Sequence, residues 1–219
     1  MNILVTGATG MVGAEVIRQA IVDDGITTVT AIARKPLSIE HPKLTTVIHD
    51  NFIDYSALAP VFAKHDACLW CLGISQLQVS KQEYEVITYD YAVAAAKAML
   101  QANPNIHFLF VSGEGADSTG QTRTLFGRIK GKTENALLQI GFNKLYLARP
   151  GAIRPIHQNP NAPFLYKVMI PLFPLMELLT PGKVINSVQL AKALLHIVKT
   201  QPEQVMFNNR ELKLKASPL

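Results

Sequence analysis

Asn2-Ile3-Leu4-Val5-Thr6-Gly7-Ala8-Thr9-Gly10-Met11-Val12-Gly13 opens the chain with an apolar run that passes straight into three glycines spaced three apart. The run reads as a buried strand, and beyond it Val12, Val16, Ile17 and Ala20 recur at helical spacing. Strand, Gly-rich turn and helix in that order are the start of a βαβ unit. In such a turn Gly7 takes the tight bend, Gly10 lets the backbone approach a pyrophosphate, and Gly13 permits close helix–strand packing. The helix start offers that phosphate unpaired N–H groups and the positive end of a dipole. A glycine pattern alone is weak; here the preceding strand, the following helix and the position near the N-terminus agree.

Outward from this turn, strands and helices alternate. Gly25 closes the first helix, Thr28–Ala33 is β-branched and strand-like, and Leu44–Ile48 is a third short strand. A helical patch lies around Leu58–Ala63, Asp66–Leu72 is the fourth strand, and Ala-rich Lys81–Ala102 reads as one long helix stopped at Asn103-Pro104. Ile106–Val111 is a fifth strand, Thr124–Ile140 a helix ended by Gly141, and Leu145–Ala148 a sixth strand. Residues 150–187 hold seven prolines and read as a loop-rich region with one apolar helix, not a further βα unit. Val188–Thr200 is an amphipathic helix and Val205–Asn208 a last short strand.

This alternation implies parallel strands covered on both faces, with a ligand at their carboxyl ends where the strand order reverses. The expected fold is therefore α/β, a doubly wound, mostly parallel Rossmann sheet in one domain over residues 1–219. A small C-terminal substrate-side cap is expected over about 151–187. Within it, the Phe, Tyr, Met and Leu side chains of Phe164–Leu179 would enclose a small apolar substrate. Docking on a partner or membrane surface, or plain core packing, are the other readings of that segment.

Composition excludes several classes. With 48% hydrophobic and 17% charged residues among 219, the chain is not disordered. The net charge is +5, but the longest basic cluster, Arg128-Ile129-Lys130-Gly131-Lys132, is too short for a nucleic-acid arm. Phe164–Leu179 contains Lys167, Pro171, Pro174 and Glu177 and falls short of the ~20 residues that span a bilayer. The N-terminus has no signal-peptide pattern, so a cytoplasmic location is expected. Cys68 and Cys71 have redox spacing, yet in a strand residues three apart face opposite ways, about 10 Å apart, too far for a disulfide. The six histidines lack metal-ligand spacing, so no metal is expected.

The residues after the second strand bear on the cofactor. An NAD site places an acid there for the adenosine ribose; this chain has Ala33-Arg34-Lys35 and no acid until Glu40. An Arg at that position accommodates a 2′-phosphate, which favours NADP(H) over NAD(H).

Together these stretches resemble the atypical short-chain dehydrogenase/reductases. The resemblance rests on Thr6–Gly13, Arg34, Asp50-Asn51-Phe52, Cys71-Leu72-Gly73, Lys130-Gly131-Lys132-Thr133-Glu134, Arg149-Pro150-Gly151 and the helix from Val188. It covers nearly the whole chain and is nearest to the small Tat-interacting-protein-like members, which bind NADP. It implies that Thr9, Gly10, Met11 and Val12 hold the pyrophosphate and that Arg34 with Lys35 binds the 2′-phosphate. Asp50, Asn51 and Phe52 would flank the adenine, and Cys71, Leu72 and Gly73 the ribose side. Ser112 and Lys130 would face the nicotinamide ribose, and Pro150, Gly151 and Ile153 the carboxamide.

The chain departs from that family at the acid. Tyr-x-x-x-Lys puts a phenol and an ammonium on one helical face; here the segment is Phe126-Gly127-Arg128-Ile129-Lys130. None of the six tyrosines has a lysine four residues later. Losing acid–base help typically forfeits 10²–10⁴-fold in rate. Two readings follow. The protein is a reductase or epimerase-like enzyme with Ser112 orienting a carbonyl and a substitute acid at Glu114, Asp117 or Tyr166. Alternatively it is an NADP(H) sensor or interaction protein that keeps the fold without the chemistry.

Overall fold

The computed structural model describes residues 1–157, 173–180 and 182–217. Strand β1 (Asn2–Thr6) explains the architecture: Ile3 and Val5 point into one core and Leu4 into another, and all three are fully buried. A strand apolar on both faces must sit inside a sheet covered by helices on both sides. The elements that follow are α1 (Met11–Ala20), β2 (Thr28–Ala33), β3 (Leu44–Ile48), α2 (Ala59–Phe62) and β4 (Ala67–Trp70). Next come α3 (Lys81–Glu85), α4 (Tyr91–Ala102), β5 (His107–Val111), α5 (Leu125–Ile140), β6 (Leu145–Arg149) and β7 (Ala152–Arg154). The described chain ends with α6 (Phe173–Leu179), β8 (Val184–Asn186), α7 (Ser187–Thr200), β9 (Met206–Asn208) and α8 (Asn209–Ala216).

Seven strands form one all-parallel sheet in the order β3-β2-β1-β4-β5-β6-β9. Residues of α1, α7 and α8 pack on one face with Leu69, Leu109 and Tyr146; residues of α2, α4 and α5 pack on the other with Trp70, Phe108 and Leu147. The order reverses between β1 and β4, which places a ligand crevice at their carboxyl ends.

Three sequence expectations change. The long helix expected over Lys81–Ala102 is broken by a π-helical turn at Val86–Asp90. A wider turn keeps residues four apart on one face, and Tyr84, Thr88 and Ala92 are all buried. Second, residues 150–187 are not loop plus one helix: β7 pairs in parallel with β8, Ala152 opposite Val184, and β8 runs directly into α7. The pairing is clamped by buried Asn209, which accepts from the Gly151 N–H at 2.8 Å and donates to the Gly182 carbonyl at 2.7 Å. Gly151 has no room for a side chain there, since a Cβ would lie 2.1 Å from the Lys183 carbonyl oxygen. Third, α8 follows β9, started by a reciprocal cap between Asn208 and Glu211. Of the expected cap, Phe173–Leu179 is helix α6; Tyr166 and the rest of Phe164–Leu179 lie outside the described residues. Among the described residues no helix is long and apolar enough to cross a membrane.

Candidate cofactor and active site

The turn between β1 and α1 is shaped by contacts of backbone on backbone. Gly7 has φ +65°, and a Cβ on it would stand 2.6 Å from the Cys71 carbonyl oxygen. A Cβ on Gly13 would stand 2.3 Å from the Gly7 carbonyl oxygen. Neither neighbour is a flexible side chain that could swing away, so both positions require glycine. The Gly10 N–H donates to the Gly7 carbonyl at 2.8 Å; it closes the turn and is not spare for a ligand. Gly10 caps α1 without a side chain, and the first turn carries no acid. The N–H groups of Met11, Val12 and Gly13 therefore lack intrahelical acceptors at an uncompensated positive helix end. Such a cradle fits a pyrophosphate.

The other expected site residues lie at the strand ends around this turn. Arg34 and Lys35, directly after β2, are exposed and neither pairs with an acid among the described residues. After β3, Asp50 and Asn51 are exposed, and the Asn51 side chain and carbonyl accept from the Ile53 and Asp54 N–H groups in a tight turn. Phe52 is buried, stacked on Tyr91 with centroids 5.5 Å apart and edge-on to His49 and Tyr55. It fixes the turn from beneath and presents little surface of its own. After β4, the Leu72 N–H donates to the buried Thr6 hydroxyl at 3.3 Å, tying the two strands that flank the crevice. A Cβ on Gly73 would meet no protein atom within 4 Å, so packing does not demand glycine there. Cys68 and Cys71 are both free and belong to opposite cores; burial pushes the Cys71 thiol up to about 12. Among the described residues no cluster of His, Cys, Asp or Glu could hold a metal.

At the end of β5 the chemistry-bearing side chains converge. The Ser112 N–H donates to the Ala148 carbonyl at 2.7 Å, while its buried hydroxyl has no partner among the described residues. Lys130, one turn into α5, is 8% exposed and donates from Nζ to the Val111 carbonyl at 2.9 Å. Its ammonium also lies 4.6 Å from the centroid of Phe110. Burial lowers its pKa to about 8, opposed by the negative charge of Glu134 one turn further along. Glu134 is itself fully buried and forms a two-pronged ion pair with Arg149 of β6, which also reaches the Ser118 hydroxyl. This pair carries no motif in the sequence; the i, i+4 spacing of Lys130 and Glu134 is the one local signal near it.

Phe126 sits one turn before Lys130, as the register requires, and its ring tip packs over Gly113, where a Cβ would be 2.6 Å from Cζ. Of the three substitute acids, Glu114 lies 3.2 Å from Lys183 Nζ, and its N–H donates to the Pro150 carbonyl. The Asp117 carboxylate accepts from the Thr119 hydroxyl and N–H and from the Thr122 N–H, bonds that hold its pKa below the ordinary carboxylate range. Ile153, in β7, packs against the first core.

A parallel sheet with order reversal and an uncapped glycine turn at the first helix define a Rossmann-type fold. The NAD(P)H-binding family profile matches residues 7–139, more than half of the chain, and the chain belongs to that family, within the atypical short-chain dehydrogenase/reductases. It is 33% identical over 144 residues to the leucinostatins biosynthesis cluster protein T of Purpureocillium lilacinum, covering 64% of this chain and 52% of that one. It is 26% identical over 155 residues to protein HTATIP2 of Rattus norvegicus, covering 69% and 62%. The chain thus spans between about half and two thirds of the length of these curated relatives. The UDP-glucuronic acid 4-epimerase of Bacillus cereus, solved with NAD, shares the fold with a TM-score of 0.71 at 13% identity, over 95% of this chain and 76% of that one.

Proposed function

We propose that this chain binds NADP(H) and acts as an oxidoreductase on a small carbonyl or sugar-like substrate. The observation that carries this reading is the unpaired, buried Ser112 hydroxyl, one residue after the Val111 carbonyl that anchors Lys130, at the same carboxyl edge of the sheet as the glycine cradle. In this reading the Met11 and Val12 amides, with Thr9, take the pyrophosphate, and Arg34 with Lys35 takes the 2′-phosphate. Asp50 and Asn51 flank the adenine above Phe52, Cys71 to Gly73 line the ribose, and Pro150, Gly151 and Ile153 lie by the carboxamide. In its reduced form the dinucleotide supplies a hydride. Lys130 grips the nicotinamide ribose, and Ser112 orients the substrate oxygen by hydrogen bonding.

A second reading, a non-catalytic NADP(H) sensor or interaction protein, is favoured by one observation: Phe126 brings no phenol to the site. Calorimetry tests the shared premise, with NADPH binding at least tenfold more tightly than NADH and Arg34→Glu reversing the order. Equal affinities remove the 2′-phosphate assignment. Turnover of a carbonyl panel by the unaltered protein supports the oxidoreductase; turnover that appears only in Phe126→Tyr supports the sensor.

A further inference from the structure

We propose that β3, one edge of the seven-stranded sheet, pairs antiparallel with β3 of a second copy of this chain and joins the two sheets into one. The proposal does not depend on the oxidoreductase reading above. The sheet has two edges, β3 and β9. β9 is three residues long and runs directly into α8. β3, by contrast, is Leu44-Thr45-Thr46-Val47-Ile48, without a charge, a proline or a glycine, and it stays in unbroken register with β2 along its whole length. Such an edge carries none of the usual devices that stop strand addition, a lysine, a proline or a bulge.

The ladder to β2 fixes which main-chain groups are left over. The Val29 N–H donates to the Lys43 carbonyl at 2.8 Å, and the His49 N–H donates to the Ala33 carbonyl at 2.9 Å. Backbone groups of successive residues in a strand point to alternate sides, so Lys43, Thr45, Val47 and His49 face β2 while Leu44, Thr46 and Ile48 face away from it. The Leu44 N–H is taken by the His41 carbonyl at 2.8 Å. Among the described residues no hydrogen bond takes the outward N–H and carbonyl groups of Thr46 and Ile48.

A second copy fits this edge in a definite register. The pairing that uses all three outward residues sets Thr46 opposite Thr46 of the second copy and Leu44 opposite its Ile48, about a two-fold axis. The Thr46 residues then exchange both bonds, and each Ile48 N–H donates to the opposing Leu44 carbonyl. Side chains directly opposed across such a pair lie on one face of the sheet. On that face Leu44 and Thr46 border an open cavity of about 530 Å³, lined mainly by apolar residues that include Pro36, Leu37, Ile39 and Pro42. Ile48 is 53% exposed in the single chain, and the register lays it against Leu44 and the cavity of the other copy. Each copy thus supplies both the exposed apolar side chain and the hollow that receives it, the self-complementarity that a two-fold interface requires. The charged ends agree with this direction. Asp50 of one copy comes opposite Pro42 of the other, between His41 and Lys43.

Sedimentation velocity on the full chain over a concentration series reads the assembly, and a designed cross-link reads the register. The parent should pass from monomer to dimer as concentration rises. Ile48→Lys changes a side chain already half exposed, so its circular dichroism and melting curve should match the parent's, while the dimer weakens about tenfold or more because each new charge is pressed against Leu44. Thr46→Cys brings two thiols together on the axis with Cα atoms about 5.5 Å apart, within disulfide range, and mild oxidation should yield a covalent dimer on a non-reducing gel. Thr45→Cys faces the other side of the sheet and is offset from its copy, so it should cross-link far less. The parent, which carries only Cys68 and Cys71, should not cross-link. A parent that sediments as a monomer at every concentration overturns the proposal and leaves the edge to a strand of another protein. A dimer that Ile48→Lys does not weaken overturns it because the contact then lies elsewhere. Cross-linking through Thr45→Cys as complete as through Thr46→Cys overturns the register, and with it the proposal.

Discussion

The ring of Phe126 fills the space that a side chain on Gly113 would need, with Cζ 2.6 Å from where the Cβ would stand. The pairing joins the loop after β5 to the start of α5. Gly113→Ala forces the ring or the loop to move and should cost about 1–3 kcal/mol by urea denaturation, the usual range for overpacking. Phe126→Leu should remove most of that cost in the double variant. Additive losses in the double-mutant cycle would show that the two residues do not share the space.

Two glycines of the crevice should respond in opposite ways to the same change. Gly13→Ala drives a methyl group to 2.3 Å from the Gly7 carbonyl oxygen, so backbone must shift; stability should fall by about 1–3 kcal/mol, with NADPH affinity down tenfold or more. Gly73→Ala meets nothing within 4 Å. Its stability should stay within about 0.5 kcal/mol of the parent, as for an unencumbered surface change. Its NADPH affinity should nonetheless drop, because the methyl group enters the space assigned to the ribose. Thermal unfolding and calorimetry on the two variants read both effects.

How far the sequence carried this picture depends on the range of each interaction. The β1–α1 turn was legible because Gly7, Gly10 and Gly13 act on one another within seven residues, and Cys68 and Cys71 because strand period alone separates them. The β7–β8 pair was not: its strands are three residues each, prolines surround them, and the residue that clamps them, Asn209, lies 58 positions from Gly151. The π-helical turn was hidden because its apolar pattern differs from that of an α-helix by a single residue. At the site, Ser112 and Lys130 were expected from the family resemblance, whereas the Glu134–Arg149 pair joins a helix to a strand and has no motif.

That pair should be important to folding. Glu134 is fully buried and Arg149 is its charged partner, so removing one leaves the other unpaired inside the protein. Arg149→Met should destabilise by about 3–5 kcal/mol, the usual penalty for one stranded charge of a buried pair. Glu134→Met with Arg149→Met should recover much of that loss, because no charge then remains to be desolvated. A double variant as unstable as Arg149→Met would show that the pair contributes geometry that apolar packing does not replace.

The two thiols should behave as core residues. Burial raises both, Cys71 to about 12, so at pH 8 neither is appreciably ionised. Iodoacetamide should leave both unmodified in the folded protein over a time in which urea-unfolded chain is labelled twice, as read by mass spectrometry. Mild oxidant should form no Cys68–Cys71 bridge. Rapid labelling of either thiol in the folded state would contradict the assignment.

Stability should respond to pH at both ends of the working range, with opposite residues responsible. His65 donates from Nδ1 to the Val61 carbonyl at 2.7 Å, and its Nε2 lies 2.8 Å from the Thr30 hydroxyl. Burial depresses its pKa below the ordinary 6.5, so as pH falls below 6.5 the unfolded chain takes up a proton that the folded chain refuses, and stability is lost. Lys130 acts at the alkaline end. Its folded value of about 8 lies below the ordinary 10.5, so below pH 8 both states are protonated and the folded state bears the full cost of a buried charge. Between pH 8 and 10.5 the unfolded chain holds more protons, and stability contributed by this residue rises with pH. The shift corresponds to roughly 3 kcal/mol at 1.36 kcal/mol per unit. Relative to Lys130→Met, the parent should therefore gain about that much between pH 7 and pH 10.5 in urea unfolding, while other titrating groups cancel in the comparison. A difference that stays constant across this range would mean that the Lys130 ammonium is solvated in the folded protein.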